Sequence, residues 1–373
     1  MNSGWSRRDL AVLAAGFLVA LSLRVLFLAA LSDRYDLESF RIVAGIVQRG
    51  GDVFRETGRY NYSPVWAYVL GGLGRVARAL GTSLDRVVTS LLLAADAATA
   101  LLIVRIVRGR GETPARALFA ALLFFANPVS VLTSSRLAMF DNVSILFLLA
   151  SVASLSRDPA RKKRAVAAMT ASLLVKHVTW FHPLLLPRRR EPRVSLPAAL
   201  VPYAVFAASF IPFWRSWERI RTQVFAYQSL GEPYGTEALR FLPFMPQWGT
   251  TALCAAAGLG AAAWIWVREV EFGRACLLLF LVVLIFVPGI AVYYFVWPIA
   301  LGALYPGIGY AVYTAVVTLF LIHSPDALGL ELSHLPGWSG PWWAAVFWLL
   351  WEIRSGSRRV SEAGASRGLV ATH

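Results

Sequence analysis

Leu10-Ala-Val-Leu-Ala-Ala-Gly-Phe-Leu-Val-Ala-Leu-Ser-Leu-Arg-Val-Leu-Phe-Leu-Ala-Ala-Leu31 is the stretch that decides the fold. Its 22 residues carry one charge, Arg24, and about 20 apolar residues of helix suffice to cross a hydrocarbon core. Runs of the same character recur at 194–214, 248–267 and 275–304. A buried helix of a soluble protein mimics one such run, but not a series. Of the 373 residues 57% are hydrophobic and 15% charged, with a mean hydropathy of +0.59; soluble domains are roughly 45–50% apolar and about 25% charged. Arg7 and Arg8 precede the first run as they would in a signal peptide, yet no small-residue cleavage site follows and further runs do, so it reads as the first span.

The net charge of +15 would point to nucleic acid in a soluble chain. Here 21 of the 36 Lys and Arg residues lie in the tails and a few short loops: Arg7 and Arg8, 105–116, 157–164, 188–193, Arg268 with Arg274, and 354–367. That is the positive-inside pattern, which places these clusters and both termini in the cytoplasm and argues against nucleic acid as a partner. Cys254 and Cys276 fall inside predicted spans and read as packing residues, not a disulfide or metal framework.

With those loops inside, the sequence predicts an all-α, polytopic integral membrane protein with about ten full spans, near 10–31, 87–104, 117–134, 139–156, 194–214, 248–267, 275–290, 295–305, 307–322 and 338–352. Two segments do not fit as crossings. Residues 64–80 start apolar but end in Gly71-Gly-Leu-Gly-Arg-Val-Ala-Arg78, and a crossing there would put the 105–116 arginines outside, so they read as a helix in the outer leaflet. Residues 165–187 have one span's length with a basic cluster at each end and are interrupted by Lys176, His177, His182 and Pro183. A re-entrant hairpin from the cytoplasm satisfies both clusters, and irregular backbone at that depth implies a cavity. Two long external loops remain, 32–64 and 215–247. In the first, Leu37, Phe40, Val43, Ala44 and Val47 have the spacing of an amphipathic helix on the interface. No internal repeat is visible.

Several polar residues have the placement that chemistry requires. Asp36, just past the first span, suits a general base taking a proton from an acceptor hydroxyl, although a solvated loop acid has the same address. Glu38 points elsewhere on a helix. Asn127-Pro128 breaks a span before Ser134-Ser135-Arg136 and Asp141, so Arg136 and Asp141 face a wet mouth, where they pair with each other or bind substrate. Lys176 and His177 stand near the hairpin apex; a charge there needs a lipid phosphate or a carboxylate as its partner. Asp96, mid-span, and Arg24 pair if their helices are neighbours. No Walker loop, dinucleotide fingerprint, zinc spacing or serine elbow occurs, and no predicted cytoplasmic loop is long enough for a nucleotide-binding domain.

In combination these residues resemble the GT-C class of polytopic glycosyltransferases that use polyprenyl- or dolichyl-phosphate sugars, nearest to the first mannosyltransferase of GPI-anchor synthesis and to mycobacterial-type polyprenol-phosphate-mannose enzymes. The family pattern Asp-Tyr-x-x-Phe after the first span is similar to Asp36-Leu37-Glu38-Ser39-Phe40. Gly-x-x-x-Tyr and Tyr-x-Tyr-x-Pro-Leu resemble Gly50-Gly51-Asp52-Val53-Phe54 and Tyr60-Asn61-Tyr62-Ser63-Pro64-Val65. An intramembrane Asp resembles Asp96, and an Asn-Pro stretch ending in Ser-Ser-Arg resembles 127–136. Met139-Phe140-Asp141 stands where the family has Gln-Phe-Asp, Lys176 matches a helix Lys, and Tyr293-Tyr294-Phe295-Val296-Trp297 is similar to Gln-Tyr-Phe-x-Trp. Arg34 occupies the position two before Asp36 where the GPI enzymes have Asp, so a divalent metal is not supported by a complete Asp-x-Asp motif and no cofactor is assigned. Met139 and Tyr293 replace Gln, which argues against a GPI precursor as acceptor.

The resemblance implies one GT-C-like domain over 1–373, with a catalytic-type module at 1–190 that includes the loop 32–64, and variable C-terminal spans at 191–373 with the loop 215–247. It implies transfer of a sugar, mannose before others, from polyprenyl phosphate to a lipid-linked, glycan or protein acceptor on the extracytoplasmic face of the plasma membrane. Asp36 is then the base; Lys176, Arg136, Arg219 and Arg221 are candidates for the lipid phosphate; Glu38, Tyr62, Asp141, His177 and Tyr294 are candidates for substrate contact. A lipid-linked-sugar flippase and a non-catalytic GT-C-like scaffold subunit are the alternatives.

Overall fold

The structure, a computed structural model, describes residues 7–29, 35–155, 158–187, 193–227, 247–287, 289–324 and 339–370. Among these there is no strand. Sixteen α-helices follow one another: α1 Arg7–Ala29, α2 Tyr35–Gln48, α3 Val53–Glu56, α4 Pro64–Ala79, α5 Leu84–Gly109, α6 Pro114–Phe125, α7 Pro128–Val131, α8 Asp141–Ser154, α9 Pro159–Val175, α10 Leu196–Ala208, α11 Trp217–Ile220, α12 Gln247–Arg268, α13 Phe272–Phe286, α14 Ile299–Gly302, α15 Ile308–His323 and α16 Gly340–Val370.

Among the described residues three helices are long and apolar enough to cross a membrane, at Ala11–Leu28, Leu84–Gly109 and Gly249–Arg268. Two bent pairs, Pro114–Phe125 with Pro128–Arg136 (47°) and Leu196–Ala208 with Ile211–Phe225 (52°), raise the number to five if each is one crossing. Proline explains the first bend: Pro128 has no N–H to give to the preceding turn, so α6 stops at Phe125 and Asn127 restarts the chain by accepting from the Val129 amide at 3.0 Å. α1 is arranged for lipid. Val12, Leu18, Val19 and Leu26 are at least 60% exposed, whereas its one internal charge, Arg24, is fully buried. Water would reverse that arrangement.

Expected and observed segments differ in several places: the full spans expected at 139–156, 275–290 and 307–322 are apolar helices of only 14, 15 and 16 residues. The span expected at 295–305 is a 3-10 turn, Val292–Val296, followed by the single helical turn of α14. The chain nevertheless returns through this limb, because the Tyr305 hydroxyl meets Glu271 and Arg110 beside the start of α13. The cluster expected in the 157–164 loop mostly lies inside α9: Asp158 caps that helix by accepting from the Ala160 amide at 2.9 Å, so its basic residues occupy the first two turns. The apolar face of α2 is also not left on an interface, since Leu37, Phe40, Val43, Ala44 and Ile46 are buried against α4.

The glycines that end the apolar stretch of α4 make that contact possible. A Cβ on Gly71 would lie 2.5 Å from Val47 Cγ1, and one on Gly74 would lie 2.1 Å from Gln48 Nε2; Gln48 donates to the Gly71 carbonyl at 3.2 Å. Gly71→Val is therefore expected to destabilise the protein by about 1–3 kcal/mol through overpacking, read as a lower Tm in detergent. Gly72→Ala, with no atom within 4 Å of its Cβ position, is the control and should not lower it.

The hairpin at 165–187 takes the form of one straight and one irregular limb. α9 is the straight limb, and 3-10 turns at His177–Thr179 and His182–Leu185 form the return. Pro159, Lys162 and Lys163 at the start of α9 line the same groove as Val194 and Ser195 just before α10. Both ends of the hairpin thus lie at one level. At the other end Trp180 packs on Tyr203 and Phe206, with ring centroids 5.1 and 5.5 Å apart.

Of the loop expected at 215–247, residues 228–246 lie outside the described residues. Its first part docks on the loop expected at 32–64: Ser216 Oγ donates to Asp52 Oδ2 at 2.6 Å and Arg219 to the Arg55 carbonyl at 3.1 Å, and just before it Phe213 packs edge-on against Phe54 at 5.4 Å.

Candidate functional site

Four departures from regular helix converge on one buried group. A π turn at Leu132–Arg136 delivers the chain to Ala138, whose φ of 55° lies in the left-handed region. That conformation strains a residue with a Cβ, and it turns the chain so that α8 begins at Asp141. α9 ends at Lys176, which is fully extended (φ −153°, ψ 126°). Ser144 and Ser172 fix this exit by donating to each other's carbonyls at 2.9 and 2.8 Å. The fourth departure is the turn Val292–Val296, which brings in Tyr293 and Tyr294.

At the convergence Lys176 Nζ lies 2.6 Å from Asp141 Oδ2, with side chains 2% and 0% exposed. Trp297 Nε1 donates to Asp141 Oδ1 at 2.6 Å. The ammonium faces four rings, with centroids at 4.8 Å (Tyr293), 5.0 Å (Phe140), 5.4 Å (Tyr62) and 5.5 Å (Tyr294). Phe140 is itself gripped by Trp66, stacked at 4.2 Å, and by Tyr62, edge-on at 4.8 Å. Carboxylate and ring faces together offset the cost of burying the lysine charge. Trp297→Phe, which keeps a ring but loses the donor, should lower stability by about 1.5–3 kcal/mol, the size of a hydrogen bond to a charged group, again read as a fall in Tm.

Asp36 belongs to the same neighbourhood. It is half-buried in the first turn of α2, where a carboxylate is favoured by the helix N-terminus. Its charge acts on the hydroxyls of Tyr62, Tyr293 and Tyr294, and all three also feel Asp141. Tyr227, at the start of the second loop's undescribed part, acts on Tyr62 and Tyr294. Two acids, a lysine and three tyrosines from five distant parts of the chain therefore share one electrostatic environment.

Of the residues expected from the sequence, Asp36, Tyr62, Asp141, Lys176 and Tyr294 come together. His177 follows Lys176 directly, and its buried Nδ1 makes no hydrogen bond. Arg136 closes the π turn, half-buried. Three others are engaged elsewhere. Arg219 is spent on the Arg55 carbonyl, and Arg221 pairs with Glu218 on the surface. Glu38 is exposed and bonded to Arg59 at 2.8 Å, which holds its carboxyl below the usual range; that contact therefore weakens only as acidification passes the lowered value. Phe140, Tyr227, Tyr293 and Trp297 were not among the expected site residues. The aromatic run at 293–297 was the available signal for two of them.

Arg24 and Asp96 do pair, at the centre of a separate network. Asp96 also accepts from Ser134 Oγ at 2.5 Å and Asn142 Nδ2 at 2.7 Å; Arg24 donates to the Phe125 carbonyl, Ser134 and Ser130, each at 2.9 Å. Every charged atom is engaged within the protein, which makes this a structural clamp between α1, α5 and the π turn. Among the described residues no three His, Cys, Asp or Glu side chains gather as a metal site.

The fold and site define an all-helical protein with several apolar helices able to span a membrane and a buried, polar, aromatic-lined group between them. Comparison with protein-family models, curated proteins and solved structures finds no match.

Proposed function

We propose that the protein is a membrane glycosyltransferase that moves a sugar, mannose first among candidates, from a polyprenyl-phosphate donor to a lipid-linked, glycan or protein acceptor at the extracytoplasmic face of the plasma membrane. The observation that supports this best is the shared environment of Asp36, Asp141, Lys176 and the tyrosines, built where helices break. Backbone of that kind is tolerated at membrane depth only where protein or a water-filled cavity covers it. In this reading Asp36 takes the proton of the acceptor hydroxyl as its oxygen bonds to the anomeric carbon. The bond from that carbon to the phosphate oxygen breaks, and polyprenyl phosphate leaves with the electron pair. The attack is in line, so the sugar carbon inverts. Lys176 supplies positive charge to the phosphate, and the tyrosine faces suit a sugar ring.

The topology that goes with it is about ten passages of a GT-C-like bundle, with both termini cytoplasmic. The limb 292–302 counts as an irregular passage, α4 lies in the outer leaflet and α9 rises from the cytoplasm. Two observations favour it: the hairpin's two ends lie level, and Arg110 and Arg274 meet Glu271 and Glu352 at a common end.

A second reading, a non-catalytic scaffold subunit, is favoured by the closed Lys176–Asp141 pair, in which the lysine already has its counter-charge. Full-length protein in liposomes with polyprenyl-phosphate mannose and a lipid acceptor separates the readings. Release of polyprenyl phosphate coupled to acceptor mannosylation is the expected result. Donor crossing the bilayer without transfer marks a flippase, and neither event leaves the scaffold.

A further inference from the structure

A groove of about 410 Å3 between α9 and α10 takes no part in the site above. Its mouth, taken as the end at the two helix starts, is lined by Pro159, Lys162, Lys163 and Ser195, and its depth, further along α9 and α10, by Val166, Ala167, Thr170, Ala198 and Val201. The Thr170 hydroxyl donates within its own helix, to the Val166 carbonyl at 2.9 Å, so the depth presents carbon. Ser195 is the N-cap residue of α10, yet its side chain makes no capping bond, and with Pro197 in the first turn that helix start keeps few amides and the positive end of its dipole. The segments 157–164 and 188–193, which lead into α9 and α10, carry nine Lys and Arg residues against two acids, Asp158 and Glu191. The mouth is therefore basic and the rest of the lining apolar. Along and beside the groove, α10 presents Leu196, Leu200, Val201 and Val205 at 39–58% exposure, a face that only hydrocarbon would cover in a membrane-embedded chain.

We infer that this groove holds one anionic phospholipid of the cytoplasmic leaflet, its phosphate between Lys162, Lys163 and Ser195 and an acyl chain along Val166, Ala198 and Val201. The charge complements the mouth, the chain complements the wall, and the order of the two along α9 matches that of a lipid standing in the bilayer. A bound lipid would also brace the straight limb of the hairpin whose far end carries Lys176. The inference rests on membrane embedding and on the proposed topology, which sets the start of α9 at the cytoplasmic leaflet, and not on sugar transfer.

Native mass spectrometry of the full-length protein in detergent, titrated with phosphatidylglycerol and phosphatidylcholine of identical chains, reads it directly. One phosphatidylglycerol should bind preferentially, and Lys162→Gln/Lys163→Gln should weaken it about ten- to thirty-fold. Ala198→Phe, which fills the groove and leaves the charge, should weaken both lipids, while an unchanged Tm shows that each variant is folded. Equal retention of the two lipids by the wild type, full retention by the double lysine variant, or displacement of the lipid by inorganic phosphate alone would overturn the inference.

Discussion

Asp36→Asn should reduce sugar transfer by about 10²- to 10⁴-fold, the usual contribution of a positioned general base, and should leave the protein folded, with a Tm lowered by a few degrees at most as the helix N-terminus loses its carboxylate. Both halves follow from position. The side chain is half-buried in the first turn of α2, and the apolar residues that fasten α2 are Leu37, Phe40, Val43, Ala44 and Ile46. Asparagine keeps the shape and loses the ability to take a proton. The measurement is initial rate against acceptor concentration at saturating donor, with the loss falling on kcat. Transfer that persists unchanged in Asp36→Asn would remove the proposed base, and a collapse of Tm would give Asp36 a structural role instead.

The second large effect is on stability. Asp141→Asn leaves the Lys176 ammonium 2% exposed among four rings with no carboxylate. Removing one partner of a buried ion pair costs about 3–5 kcal/mol. The cation–π contacts, about 2 kcal/mol when desolvated, are present in wild type and variant alike and return none of it. A net destabilisation of about 3–5 kcal/mol is expected. Asp141→Asn/Lys176→Met should recover most of it, because methionine fills the lysine's channel without a charge. A double variant no more stable than the single one would mean that the box is held by something other than the pair. If Lys176 meets the donor phosphate, the recovered double variant should be stable and inactive.

Much of this arrangement was legible in the sequence because it follows from local rules. A proline without an amide predicts the break at 128, a three-and-four spacing of apolar residues predicts that α2 is an amphipathic helix, though not that α4 covers its apolar face, and two basic clusters around an interrupted span predict the hairpin. The buried pairing of Arg24 with Asp96 follows from the cost of leaving either alone in a membrane. What was not legible depends on contacts between remote segments. The π turn and the left-handed Ala138 have no residue-type signature; a glycine would have announced the second. Tyr293 looked like a departure from a glutamine, whereas its ring is the nearest of the four to Lys176. The limb 292–302 has the hydropathy of a span and not the helix, since its aromatic side chains are spent on Lys176, Asp141 and one another. Loop position alone marks Arg219 and Arg221 in the sequence; Glu218, three residues before Arg221, takes the second locally, and the Arg55 carbonyl takes the first only when the two loops are docked.

The central claim is that the group around Lys176 and Asp36 receives a polyprenyl-phosphate sugar. The most direct test is an experimental density map of the full-length protein in a lipid nanodisc with polyprenyl-phosphate mannose bound. The account predicts the donor phosphate within hydrogen-bond distance of Lys176 Nζ, the sugar among Tyr62, Tyr293 and Tyr294, and its anomeric carbon turned towards Asp36. A donor bound elsewhere on the protein, with the Lys176–Asp141 pair still closed, would contradict it.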